Sequence, residues 1–162
     1  MQWRQMTEAD MPAVIRLAEV IHLDHPEDDE VIIERRLFFP EGCLVLEYEG
    51  VLFGYTLVHP AEFEKPPALN ALIGEAPMNT GILHIHDIAL ASEARGTGAS
   101  GKAVDIIVEK AKAAGYRQIS LVAVNGTEPF WEKHGFRHHT SEKLAQKLAS
   151  YDGTASYMLR TL

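Results

Sequence analysis

The sequence predicts an α/β fold, a mixed sheet of about six or seven strands with helices on both faces, and three stretches carry that reading. Residues 43–48 and 51–58 are apolar, β-rich runs joined only by Glu49 and Gly50, a link too short for anything but a hairpin. Residues 82–90 form a strand that leads through a glycine-rich loop into a helix, on which Ala103, Val104, Ile107, Val108 and Ala111 recur at helical intervals. Residues 118–124 are a second buried strand after that helix, and the right-handed crossover rule lays it parallel to the first.

From the N-terminus, residues 2–6 read as a short strand and residues 7–10 as a capped helix entry. A helix then runs from Met11 to about Ile21 with Val14, Ile15, Leu17 and Ala18 turned inward. An acidic linker from His22 to Glu30 precedes a second helix, with Val31, Ile32, Arg35 and Leu37, which Pro40 stops. After the hairpin, residues 59–80 contain Pro60, Pro66, Pro67 and Pro77 and keep no sustained period, so they read as a long loop, functional or disordered. The crossover helix keeps Asp105, Glu109 and Lys112 on its outer face. Residues 126–133 form a short helix capped by Gly135, 136–139 a strand, 141–149 a helix and 155–160 the closing strand. The order is β-α-α-β-β-β-α-β-α-β-α-β.

At 162 residues and 46% hydrophobic composition, the chain fits one domain, 1–162, with enough apolar material for a core. No repeat is visible, no apolar run approaches the ~18 residues of a membrane span, and the N-terminus lacks a signal-peptide pattern, so a soluble cytoplasmic protein is expected. Cys43 is the one cysteine, which excludes an intramolecular disulfide and a thiolate metal cluster; its apolar setting reads as a small buried hydrophobe. The net charge of −8 argues against nucleic acid and anionic membranes as partners and suits a small cationic substrate.

Between strand and helix lie Gly96, Gly98 and Gly101, where bare backbone amides meet the start of a helix dipole and make an anion seat. Gly96-x-Gly98-x-x-Gly101 matches the dinucleotide fingerprint, but too little chain follows for a doubly wound fold, and the next strand runs into Asn125 rather than an acid. Gly96-x-x-x-x-Gly101-Lys102 matches a P-loop up to Ala103, which replaces the magnesium-binding hydroxyl. A purely structural glycine-rich turn is the plain alternative.

Arg95-Gly96-Thr97-Gly98-Ala99-Ser100 resembles the Arg/Gln-x-x-Gly-x-Gly/Ala signature of the GCN5-related N-acetyltransferases, the GNAT superfamily, with Ser100 departing from the last position but still small. The element order above is also that family's, and the likeness spans nearly the whole chain. It implies a mostly antiparallel sheet whose central parallel pair splays to admit coenzyme A. It also implies acetyl-coenzyme A as cosubstrate, with no metal. The amides of residues 95–101, Gly101 included, would then cradle the pyrophosphate, while Ile88, Ala89 and Leu90 lie beside the pantetheine and Asn125 at the mouth of the second strand. Pro129-Phe-Trp-Glu-Lys-His-Gly-Phe136 is similar to the family's Phe-Tyr-x-x-x-Gly-Phe stretch, so Trp131 would line the cofactor where a tyrosine proton donor is expected. An indole N–H is no general acid at ordinary pH. Members of the family often pair, so a homodimer is in keeping with the resemblance.

His84-x-His86 is also similar to the His-x-His of the arylalkylamine N-acetyltransferases, where the pair helps draw a proton from the amine. Residues i and i+2 of a strand share a face, so both imidazoles can line one channel, with an ordinary pKa of ~6.5 suited to base work. Asp87 points the other way unless a bulge re-aims it. The expected reaction is direct acetyl transfer to a small primary amine, with His86 as base, His84 assisting through a water and Asp87 the third candidate. The acceptor is expected between residues 21–30 and 59–80, whose Asp24, Glu27, Asp28, Asp29, Glu30, Glu62, Glu64 and Glu75 make either a cation-attracting rim or merely a solvated surface. Two other readings stand beside this one: a non-catalytic acyl-coenzyme A sensor, and an enzyme acetylating protein N-termini or lysines. Tyr116, Tyr151 and Tyr157 are substitute proton donors or simply packing residues.

Overall fold

A computed structural model describes residues 1–151 and 153–162. Its elements follow the order β1 (Gln2–Gln5), α1 (Met11–Ile21), α2 (Asp29–Phe38), β2 (Leu44–Tyr48), β3 (Val51–Ala61), β4 (Ile82–Leu90), α3 (Ala99–Ala113), β5 (Gln118–Ala123), α4 (Glu128–Lys133), β6 (Arg137–His138), α5 (Glu142–Lys147) and β7 (Ser156–Thr161). The seven strands make one sheet in the order β1-β2-β3-β4-β5-β7-β6. Among the described residues only β4 and β5 run parallel; every other neighbouring pair is antiparallel.

The two faces carry separate cores because alternate residues of each strand turn opposite ways. On one face Leu83, Ile85, Ile119 and Leu121 meet Val104, Ile107, Val108 and Ala111 of α3. Ile107 is fully buried there, and removing such a side chain from water contributes about 1.5–3 kcal/mol. On the other face Val45, Tyr55, Leu57 and Ala89 pack with Val14 and Ala18 of α1, Ile32 of α2 and the buried Cys43. The entry to α1 is fixed by a capping box in which Asp10 accepts from the Thr7 amide at 2.8 Å and also binds Arg4.

Three departures from regularity shape the middle of the sheet. The pairing of β4 with β5 ends at Ile85 and Leu121, although β4 continues beside β3 to Leu90 and β5 beside β7 to Ala123. The parallel strands therefore part, as expected from the resemblance. Second, the register of β3 against β4 slips between Leu57–Asp87 and Val58–Ile85, which leaves His86 without a partner as a bulge on β4. Third, β3 continues through His59 and Pro60 to Ala61, where a loop was expected from His59 onward. Beyond Tyr55, the last residue of β3 with a β2 partner, β3 has among the described residues a ladder only to β4, so the missing N–H of Pro60 is tolerated.

The segment 62–81 that follows is tied down rather than loose. Glu34 accepts from the Ile73 and Gly74 amides at 2.8 and 2.9 Å, and the buried Arg35 donates to Ala71 O at 2.7 Å while pairing with Glu34. Asp28 N donates to Asn70 Oδ1 at 2.7 Å, and Tyr151 Oη to Pro67 O at 2.9 Å. Among the described residues, no helix is long and apolar enough to cross a membrane.

Candidate active site

Where β4 and β5 part, a cavity of about 420 Å³ opens on the α1–α2 face of the sheet. His84, His86 and Asp87 line it from β4, Val122, Val124 and Asn125 from the end of β5, and His22, His25 and Glu27 from the link between α1 and α2. Leu69, Ser150 and Tyr151 complete the wall. The bulge brings Asp87 here: in a regular strand it would face α3, but the extra residue puts His86 and Asp87 on one side.

The imidazoles around this cavity differ in their partners. His86 Nε2 lies 2.7 Å from Glu27 Oε1, and His22 Nε2 lies 2.7 Å from Asp87 Oδ2, which also accepts from Tyr55 Oη at 2.9 Å. The hydrogen bond to Asp87 raises the His22 pKa above its ordinary value against the opposing effect of burial, aided by the charges of Asp87 and Glu27. Burial pushes the Glu27 carboxyl upward, yet the hydrogen bond to His86 and the charges of His86, Arg35 and His22 bring it net below the usual value. Tyr55 is held well above the ordinary phenol value by burial and by Asp87, so it remains a donor.

His84 has a hydroxyl partner, Ser120 Oγ at 2.8 Å from Nδ1, and is fully buried, which holds it well below the ordinary histidine value. His59 donates from Nδ1 to Pro60 O at 2.9 Å, and burial depresses it to about 3. Its ring lies 5.3 Å from that of His84 and 5.9 Å from that of His86, and its Nε2 is buried without a partner. Two imidazoles are thus matched with carboxylates and two are kept neutral.

The glycine loop has the geometry of an anion seat. Gly96 and Gly98 have φ of +76° and +82°, with open space where a Cβ would stand, and Gly98 is the residue before α3. Among the described residues, the amides of Gly96, Thr97, Gly98, Ala99, Ser100 and Gly101 have no hydrogen-bond acceptor. Arg95, Gly96, Thr97 and Gly98 are exposed, Ala99 is buried, and Ser100 and Gly101 are half-buried in the first turn of the helix. Free donors, open space and an exposed arginine fit a diphosphate.

The remaining expected residues divide between the two cores. Ile88 packs on the α3 side, Ala89 on the α1 side, and Leu90 beside Leu46, Ala94 and Ala99, all on the stretch of β4 that β5 has left. Trp131 is half-buried edge-on between Phe130 and Phe136, at ring distances of 4.9 and 5.4 Å. It does not line the cavity. Of the acidic rim, only Glu27 turns into the cavity; Asp24, Asp28, Asp29, Glu30, Glu62 and Glu75 are exposed, and Glu64 pairs with His139. His22, His59, Tyr55 and Ser120 were not expected at the site. For His22 and His59 the one sequence signal was a histidine beside an acidic or proline-rich stretch; Tyr55 and Ser120 carried none.

No curated protein sequence matches the chain. Among solved structures, it is similar to the loading GNATL domain of CurA from Lyngbya majuscula, at 13% identity over 99% of this chain and 96% of that one, with a TM-score of 0.79. It is similar also to Ard1 from Thermoplasma volcanium, at 16% identity over 99% and 97% of the two chains with a TM-score of 0.74. A third likeness is to Arabidopsis thaliana Naa50 in complex with the bisubstrate analogue CoA-Ac-MVNAL, at 12% identity over 98% and 95% with a TM-score of 0.71. At these identities the likeness carries the fold alone. The sequence profile described as the acetyltransferase (GNAT) family matches residues 3–136, which take in the parted strands, the glycine loop and α4, so the chain belongs to the GNAT family of acetyltransferases.

Proposed function

We propose that the protein is an N-acetyltransferase that moves an acetyl group from acetyl-coenzyme A to a small primary amine. The observation that carries this reading is the coincidence of the strand parting with a cavity holding the His86–Glu27 pair. The coenzyme's diphosphate would rest on the amides of residues 96–101, with Arg95 beside it. Its arm would run along the β5-side edge of Ile88, Ala89 and Leu90, which has no ladder partner there.

An alkylamine arrives protonated, with a pKa near ~10.4. Glu27 is ionised and can only accept, so His86 Nε2 carries a hydrogen and Nδ1 is the ring's basic nitrogen. His86 takes the proton, the neutral amine attacks the thioester carbonyl, and a backbone N–H between Ile88 and Leu90 steadies the developing negative oxygen. His84, held neutral against Ser120, shapes the wall behind His86 rather than sharing the proton.

The acceptor is small because Leu69, Ser150 and Tyr151 border the cavity, and Tyr151 is held in place by its hydrogen bond to Pro67 O. A volume of about 420 Å³ lies at the small-molecule end of binding sites, ~300–1,000 Å³. The test is release of free thiol from acetyl-coenzyme A in the presence of polyamines, arylalkylamines, aminoglycosides and peptide N-termini. Turnover with a small amine supports the proposal; turnover with peptides alone replaces it with protein acetylation, and tight coenzyme binding without any thiol release replaces it with a sensor. His86→Gln should lower the rate most near neutral pH and least at high pH, where free amine is abundant. An unaltered pH–rate profile would remove His86 from the mechanism.

A further inference from the structure

Acetylating an ammonium removes two protons from its nitrogen, one before attack and one as the amide forms. A single base enclosed in a cavity must discharge the first before it can take the second. The cavity contains a second imidazole–carboxylate pair built like the first. His22, at the C-terminal end of α1, is bound through Nε2 to Asp87 Oδ2, and Tyr55 of β3 donates to the same oxygen. A carboxylate so placed only accepts, so Nε2 carries the hydrogen and Nδ1 is left as the basic nitrogen. Three separate elements, the end of α1, β3 and the bulge of β4, converge to hold this ring. Its side chain remains 34% exposed and borders the cavity. The groups facing it are Asp87 and His86 from β4, Tyr55 from β3, and Glu27 and His25 from the α1–α2 link.

Resting on the acetyl-transfer reading, we propose that His22 is a second catalytic residue, positioned by Asp87 and Tyr55, that takes the acceptor nitrogen's second proton and passes it to the departing thiolate. The acceptor ammonium gives its first proton to His86. The nitrogen–carbon bond then forms, and the carbon–sulfur bond breaks with its electron pair leaving on sulfur. His22 receives the second proton from nitrogen and delivers it to that sulfur. The products are the amide and the thiol, and His86 releases one proton to solvent, which balances the reaction. This route supplies the donor that Trp131, an indole outside the cavity, is unable to be. The raised proton affinity of His22, caused first by its bond to Asp87, suits a group that must hold a proton until the thiolate forms.

The experiment compares wild type, His22→Gln and Tyr55→Phe with the best amine from the panel, using acetyl-coenzyme A and an acetyl thioester of a more acidic aryl thiol. His22→Gln should lower kcat at least tenfold with acetyl-coenzyme A, leave its KM within about twofold, and recover most of the loss with the aryl thioester, whose thiolate needs no proton to depart. Tyr55→Phe, which removes only a hydroxyl, keeps the question open to test if His22→Gln fails to fold: it should displace one limb of the pH–rate profile. Equal losses with both thioesters, or an unchanged profile in Tyr55→Phe, overturn the assignment of His22 and leave acetyl transfer standing. A wild type that releases thiol with no amine overturns the transfer reading and this one with it.

Discussion

Two glycines three positions apart in the anion-binding loop should respond to alanine in opposite directions. Gly98 sits at φ +82° just before α3, with nothing within 4 Å of a built Cβ, so alanine meets no clash but must adopt the left-handed conformation. That costs about 1–2 kcal/mol. Gly101 lies inside the first turn of α3, where replacing glycine gains about 1 kcal/mol of helix propensity. Its new methyl would stand 3.3 Å from His134 Cε1 and 3.5 Å from Nε2, and an imidazole at the end of a rotatable side chain yields by the few tenths of an ångström required. For a chain of this size each kcal/mol moves Tm by about 2–4 °C. Without coenzyme, Gly98→Ala should therefore melt about 2–8 °C below wild type, and Gly101→Ala level with it or up to about 4 °C above. Shifts of the same sign in both variants would refute the placement of the helix start between them. The same melts with saturating acetyl-coenzyme A test the seat itself. A ligand at 100 times its Kd adds about 2.7 kcal/mol, and Arg95→Ala and Gly98→Val should both lose that gain.

Acid should destabilise the fold well before its carboxylates titrate. His59, depressed to about 3, and His84, also well below the ordinary histidine value, refuse protons that the unfolded chain accepts. Their contribution is whole above about pH 6.5 and is lost as pH falls toward the folded values, at up to about 1.4 kcal/mol per pH unit for each. His22, whose value is raised, works in the opposite sense, so urea midpoints from pH 7 to 4 should fall in wild type and flatten in His59→Gln/His84→Gln; a flat wild-type curve contradicts the reading. Glu34→Gln should free the 62–81 segment, because the Ile73 and Gly74 amides lose a charged acceptor, worth about 1.5–3 kcal/mol, and the buried Arg35 loses its counter-charge. Limited proteolysis of that segment should accelerate, and cleavage at the wild-type rate would show the clamp to be idle.

What was legible in the sequence was local. The hairpin through Glu49 and Gly50, the apolar period of α3 and the run of β5 are written in neighbouring residues, and the crossover rule then oriented β5 without further information. The bulge at His86 was not legible, because it arises from a register slip between β3 and β4 that neither strand announces alone. It nevertheless decides which face Asp87 occupies. Pro60 read as a loop signal because a proline breaks a strand with ladders on both sides, whereas here one side is open. The acidic link before α2 read either as a cation-attracting rim or as solvated surface, and most of its acidic residues are exposed. Glu27 differs only because His86 lies opposite, a pairing of residues far apart in the chain.

The cavity's charges bear on how its bases become available. Glu27 and Asp87 are each already matched by an imidazole, so among the described residues the cavity lining has no spare carboxylate for an arriving cation. On the acetyl-transfer reading, an ammonium that enters while the His22 ring carries its proton, which its raised value favours, meets a like charge beside it. Like charges about 4 Å apart repel by about 4 kcal/mol at an effective dielectric of 20. The cheapest relief is for a ring to give up its proton, which leaves its carboxylate to attract the ammonium and its own Nδ1 bare. The substrate's charge thereby empties the base that must next discharge it. His59 and His84 contribute by remaining neutral: a third or fourth titrating ring at their distances would add to the repulsion without a carboxylate to offset it. Binding of the amine should then release protons to the buffer in a stoichiometry that rises as pH falls toward the histidine range, and a proton count of zero at pH 6.5 would break this link between the site's pairing and its chemistry.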